Sequence, residues 1–106
     1  MRDKFLDTLG MAKKSGGLVC GAELVIASIR KGRVLLALYA EDASGGTKKK
    51  ISDKCSFYNV AVASAGRPMS DLSHAAGLIR PTAVMGVTNK NFADILLNII
   101  NQPKNN

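Results

Sequence analysis

The run Val34-Leu35-Leu36-Ala37-Leu38-Tyr39-Ala40 most limits what this chain can fold into. It is far shorter than the roughly 18 to 20 apolar residues that cross a bilayer. Being apolar on both faces, it fits a strand whose alternate side chains enter two separate apolar layers. It therefore predicts the central strand of a sheet sandwiched between helices.

The flanking periodicities supply those helices. Phe5, Leu6, Leu9 and Ala12 recur at three- and four-residue spacing over Lys4 to Lys14, ended by Gly16-Gly17. Leu18-Val19-Cys20 is left as a short strand, because Gly21 follows and Ala22, Val25, Ile26 and Ile29 open a second helical stripe. That helix starts near Gly21 and closes with Arg30 and Lys31 before Gly32, which suits the helix dipole and a left-handed terminator. Ser44 is the N-cap candidate of a third helix, with Ile51, Cys55 and Tyr58 inward and Lys48, Lys49, Lys50 and Lys54 facing water. Val60 to Ala63, Pro68 to Ala76, Thr82 to Val87 and Asn89 to Ile100 read as strand, helix, strand and helix.

The fold class that results is α/β: a single-domain three-layer α/β/α sandwich with right-handed crossovers and a mixed, roughly four-stranded sheet. The domain spans residues 1–100, and 101–106 form a frayed tail. A chain of 106 residues, 46% of them hydrophobic, buries about two-thirds of its unfolded surface, enough for one core without staples.

Cys20 and Cys55 are widely separated, with no CxxC pair or nearby histidines, and read as small buried apolar residues rather than metal ligands or a disulfide. The N-terminal stretch carries acids among its bases and has no apolar h-region, so the expected compartment is the cytoplasm. No metal or cofactor is expected, and no membrane partner.

Signs of catalysis are sparse. His74 has no cysteine or carboxylate cluster around it in sequence. Glu41-Asp42 follows a buried strand, where α/β proteins often place catalytic acids, yet adjacent acids opening a turn are more often turn and cap formers. The turn Ser44-Gly45-Gly46-Thr47-Lys48 has the context for a phosphate but matches neither GxxxxGK[ST] nor GxGxxG. A small phosphate-handling enzyme built on these residues is the weakest reading, and the chain reads as a non-enzyme.

Charge is more informative. Fifteen Lys+Arg against eight Asp+Glu give +7, gathered at Lys13-Lys14, Arg30-Lys31-Arg33, Lys48-Lys49-Lys50 with Lys54, Arg67 and Arg80. Such clustering points to a polyanion. Of the five aromatics most fall at expected core positions, so no stacking platform for single strands is visible and a folded nucleic acid is implied.

Two stretches carry a resemblance: Met11-Ala12-Lys13-Lys14-Ser15-Gly16-Gly17-Leu18-Val19-Cys20-Gly21, and Leu38-Tyr39-Ala40-Glu41-Asp42-Ala43-Ser44 followed by Thr47-Lys48-Lys49-Lys50. From about Asp3 to Ile100 the chain resembles the YlxQ-type bacterial ribosomal-protein homologues of the L-seven-Ae kink-turn RNA-binding family. The resemblance implies binding to kink-turns, RNA duplexes sharply bent at a bulge beside tandem sheared G·A pairs. It implies that the second helix enters the groove through its N-terminus, at Gly21, Ala22, Glu23 and Leu24. The loop before the last strand, Ile79, Arg80, Pro81 and Thr82, would pack on the bulged nucleotides. A kink opens a groove that regular A-form RNA keeps too narrow for side chains, and exposed helix N–H groups attract phosphate.

The chain departs from the best-known kink-turn binders at three positions. Glu23, Leu24 and Ala27 stand where those proteins carry Asn, Glu and Lys. Leu24 cannot hydrogen-bond a base, and going without one or two base interactions worth about 1–3 kcal/mol each weakens recognition. Lys14, Arg30, Lys31 and Arg80 compensate by binding phosphates, which positions the RNA without specifying its sequence. The expected function is non-enzymatic binding of structured RNA, ribosomal or regulatory, by a monomer. The alternative is a protein–protein module of a ribosomal or transcription assembly, without direct RNA readout.

Overall fold

The computed structural model describes residues 3–102. Along them run α1 (Lys4–Lys14), β1 (Leu18–Cys20), α2 (Ala22–Arg30), β2 (Leu36–Tyr39), α3 (Gly45–Tyr58), β3 (Ala61–Ser64), α4 (Met69–Ala75), β4 (Val84–Val87) and α5 (Lys90–Asn101). The strands form one sheet in the order β1-β4-β2-β3. β4 is antiparallel to β1 and β2, and β3 is parallel to β2. This is the expected three-layer sandwich with a mixed sheet.

The apolar run lies at the sheet's centre because it can feed two layers. Leu36, Leu38, Met85 and Val87 pack with α1, α4 and α5, while Ala37 and Val84 pack with α2 and α3. On the second face the paired residues Ala37 and Gly86 are small, so α2 seats closely. A Cβ on Gly86 would lie 3.1 Å from Val34 Cγ2 and 3.3 Å from Val25 Cγ1.

Three of the helices are started by the side chain of their own N-cap residue. Asp3 Oδ1 accepts from Leu6 N at 3.1 Å, Ser44 Oγ from Thr47 N at 3.1 Å, and Asn89 Oδ1 from Asn91 N at 2.9 Å. Each satisfies an amide that has no acceptor in its own helix. Ser44 is thus the cap its sequence context promised.

Several expectations need correction. The ladder of β2 begins at Leu36 rather than Val34, and Leu35 is exposed although its amide donates to Val87 O at 2.8 Å. Tyr58 does not complete the buried stripe of α3; Ile51 and Cys55 are buried, Tyr58 is not. Lys48 does not simply face water: half-buried, it donates to Glu41 O at 3.0 Å with its ammonium 5.9 Å from the Tyr39 ring centre. Arg67 is drawn into structure, holding Asp3 through Nε–Oδ2 and Nη2–Oδ1 at 3.0 Å each and stacking 4.4 Å from the Phe5 centroid. Cys55 is buried, whereas Cys20 is only half-buried. Asn101 closes α5 and Gln102 follows as its extended cap; the rest of the expected tail lies outside the described residues.

Candidate nucleic-acid interface

The register brings the C-terminal ends of β1, β2 and β3 to one edge of the sheet, beside the N-terminal end of β4. Cys20 faces Met85, Tyr39 faces Val84, and Ser64 faces Tyr39. Four connections therefore meet at this edge: the turn into α2, the turn into α3, the turn into α4 and the loop from α4 to β4. Topology alone makes this the place where residues distant in sequence can act together.

Gly21 forms the turn into α2. Its φ of +100° and ψ of 137° belong to a region that side-chain-bearing residues avoid. No atom lies within 4 Å of where a Cβ would be. Glycine is required here by backbone conformation, and the space above it is open. Gly21 N donates to Val84 O at 2.9 Å, and Gly21 O accepts the first helical bond, from Val25 N at 2.9 Å.

No side chain caps α2. The amides of Ala22, Glu23 and Leu24 point out of the helix without an acceptor among the described residues. Together with the helix dipole they make the start of α2 attractive to an anion. Glu23 and Leu24 are exposed, Leu24 by 63%.

The α4–β4 loop is built on a helix terminator. Gly77, at φ +68°, donates to His74 O at 3.1 Å, and Leu78 N donates to Ser73 O at 2.9 Å. This is the paired bonding of a Schellman end. It throws Ile79, Arg80 and Pro81 outward; all three are exposed, Ile79 completely. Thr82 turns the other way. It is buried, its amide donates to Ser73 Oγ at 2.9 Å and its hydroxyl to Val84 O at 3.3 Å.

A groove of about 540 Å³ runs along the loop, between residues 77–82 and Cys20 at the end of β1. Burial pushes the Cys20 thiol above its ordinary value, so it presents to the groove as a neutral, weakly polar group. The structure thus gathers Gly21, Ala22, Glu23 and Leu24 on one side of the edge and Ile79, Arg80, Pro81 and Thr82 on the other.

Lys14 and Lys31 are not part of this grouping. Lys14 lies on α1, in the opposite helical layer, near Ala75. Arg30 ends α2 and Lys31 is its C-cap, about 15 Å along the helix from Gly21 at 1.5 Å per residue.

The turn into α3 adds what the residue pattern alone does not show. Asp42 Oδ1 accepts from Met69 N at 2.9 Å and caps α4, whose N-cap residue, Pro68, carries no side-chain acceptor. A proline at that position is the one sequence signal that an acceptor must come from elsewhere. Lys48, tied to Glu41 O, brings a cation toward the same edge. Gly45 and Gly46 are exposed at the start of α3.

The fold that carries this edge is shared with known proteins. The chain is 35% identical over 96 residues to the RNA-binding protein YlxQ of Enterococcus faecium, a match covering 87% of this chain and 86% of that protein. It is 36% identical over 97 residues to the RNA-binding protein YlxQ of Bacillus subtilis strain 168, covering 87% and 90%. A protein of unknown function from Bacillus halodurans C superposes with a TM-score of 0.88 at 33% identity, over 95% of this chain and 100% of that one. The Giardia lamblia 15.5kD RNA binding protein superposes with a TM-score of 0.75 at 15% identity, over 94% and 88%, a likeness of fold. Residues 3–97 match the sequence model of a single family, and the chain belongs to it: the ribosomal protein L7Ae/L30e/S12e/Gadd45 family.

Proposed function

We propose that this protein binds structured RNA of the kink-turn type, ribosomal or regulatory, through the edge formed by the start of α2 and the α4–β4 loop. The observation that carries this reading is the Gly21 N to Val84 O hydrogen bond at 2.9 Å. It fixes an uncapped helix start beside a loop that projects Ile79 and Arg80. A bent duplex presents both things this edge can use: phosphates drawn close at the kink, and bases forced out of the stack. The names of the YlxQ relatives support RNA as the partner.

In this reading Gly21 admits the RNA backbone, and the amides of Ala22 to Leu24 meet phosphate or base-edge oxygens. Glu23 accepts from guanine N–H groups. Ile79 and Pro81 pack against unstacked bases, Arg80 neutralises phosphate, and Thr82 holds the loop in place. Lys14 and Lys31 act at longer range on flanking phosphates. The protein works as a cytoplasmic monomer without cofactor or catalysis.

The test is a titration against a kink-turn hairpin and against the same hairpin with its G·A pairs made Watson–Crick, at two salt concentrations. The two RNAs carry equal charge. Preference of at least about tenfold for the kinked RNA, equivalent to about 1.4 kcal/mol, supports the reading. Equal, weak binding of both would overturn it and favour a protein-binding module, for which exposed Leu24 and Ile79 provide apolar anchors.

A further inference from the structure

We propose that the far end of the α2–α3 layer is a second nucleic-acid contact, where Phe57 and Tyr58 stack the bases of an unpaired RNA strand and Arg30, Lys50 and Lys54 neutralise its phosphates. Phe57 is 79% exposed and Tyr58 38%. Their rings meet edge to face, with centroids 4.9 Å apart and planes at 76°. This arrangement uses the edge of one ring, and the exposure of Phe57 leaves ring surface open for a base.

The surroundings have the matching charge. A depression of about 390 Å³ is lined by Arg30, Lys50, Asp53, Lys54, Phe57 and Tyr58. Asp53 is engaged by Lys49 at 3.0 Å. Arg30, Lys50 and Lys54 have no carboxylate partner among the described residues. Aromatic faces interleaved with unpaired cations are the combination that tracks a single strand: bases stack without regard to sequence while phosphates are neutralised.

Charge also decides against the other occupants. Two copies meeting through this patch would set three cations against three, which costs rather than gains. An ordinary protein surface would have to strip water from three ammonium or guanidinium groups without supplying anions. The site is distinct from the edge at Gly21, because Arg30 and Phe57 lie at the ends of α2 and α3 that point away from it. It does not depend on whether the RNA at that edge is kinked.

The experiment uses the full chain and three hexamers: oligouridylate, oligoadenylate, and an abasic strand with the same phosphates. Affinity is read by titration, and the binding surface by amide chemical shifts. Base-bearing hexamers are expected to bind at least about tenfold tighter than the abasic strand, with shifts centred on residues 54–59. Phe57→Ala should weaken the hexamers about tenfold, with Phe57→Trp retaining them, since stacking is abolished in one and kept in the other. Neither variant should alter affinity for a hairpin without single-stranded flanks, so failure here is separate from failure at the Gly21 edge. Equal binding of abasic and base-bearing strands overturns the proposal. So do shifts centred on Gly21, an unaffected Phe57→Ala, or an RNA-free dimer that Phe57→Ala dissolves.

Discussion

The Gly21 amide donates to the Val84 carbonyl at 2.9 Å, which ties the start of α2 to the strand that follows the projecting loop. In the proposed interface neither element would hold an RNA groove alone. The turn has an open approach but no side-chain donors, and the loop has Ile79 and Arg80 but would be mobile if it hung only from α4. Ala40 N, donating to Ala83 O at 2.8 Å, ties the end of β2 into the same assembly. Pre-organisation of this kind lowers the ordering cost of binding.

Gly21→Ala tests the turn. At φ +100° an alanine is strained by about 1–3 kcal/mol, although no atom crowds its methyl group. Denaturant titration should show that loss of stability. At temperatures where the variant remains folded, kinked-hairpin affinity should fall by more than a folding correction explains, because the methyl group stands where the RNA backbone would approach. Unchanged affinity would remove Gly21 from the interface.

Arg80→Ala and Lys31→Ala form a matched pair of charge removals. Arg80 projects at the edge, while Lys31 caps the other end of α2. If Arg80 neutralises a phosphate directly, its removal should make the slope of log K against log salt shallower by about 0.7 to 0.9. For Lys31 the change should be smaller than for Arg80. Equal changes would mean that the RNA footprint extends along the whole of α2.

The Asp3–Arg67 pair should report on acid stability. The Arg67 guanidinium, followed by the Leu6 amide, holds the Asp3 carboxyl below its ordinary value of 3.8. Because the folded value is the lower one, the pair contributes fully at pH values above the unfolded value and is lost as pH falls through the folded one. Asp3→Asn should therefore destabilise the protein at neutral pH by about 1 kcal/mol, a figure reduced for partial solvent exposure. The difference from the unsubstituted chain should shrink below about pH 4. Urea midpoints at pH 7 and pH 3 measure it.

Gly86→Ala tests how α2 is seated. Its methyl group would press on Val34 and Val25 at 3.1 and 3.3 Å, and overpacking of this kind costs about 1–3 kcal/mol. Since α2 would be lifted from the sheet, kinked-hairpin affinity should fall alongside the melting temperature. An unchanged melting temperature would show that the two valines can move aside.

Much of this architecture is readable in the residues, and the exceptions have physical causes. Val34 to Ala40 announces a doubly covered strand, and Gly21 before an apolar stripe announces the start of α2, because both signals are local. Tyr58 escapes the stripe because residue periodicity implies burial only while the helix stays over the sheet. At 14 residues α3 is about 21 Å long, whereas a four-residue strand spans about 13 Å. Its last turn overshoots the layer, leaving Phe57 and Tyr58 in water and creating an aromatic surface that periodicity hides. Arg67 reads as a free cation in the sequence because its partner, Asp3, is remote along the chain. Lys14 and Lys31 join the edge only when charge is considered alone, and charge says nothing about which end of a helix a residue occupies.

Leu24→Glu carries the departure from the best-known kink-turn binders to an experiment. Leu24 is 63% exposed and sits in the first turn of α2, where a carboxylate is favoured by the helix dipole. The substitution should leave stability unchanged or raise it by a few tenths of a kcal/mol. If the start of α2 enters the groove, the new carboxylate can accept from guanine N–H groups, and one such base interaction is worth about 1–3 kcal/mol. Affinity for the kinked hairpin should then rise about five- to 150-fold. The Watson–Crick control should bind no better, or slightly worse, because added negative charge opposes generic attraction. A loss of affinity for both RNAs in equal measure would instead show that α2 meets the duplex only through phosphate, with Leu24 outside the groove.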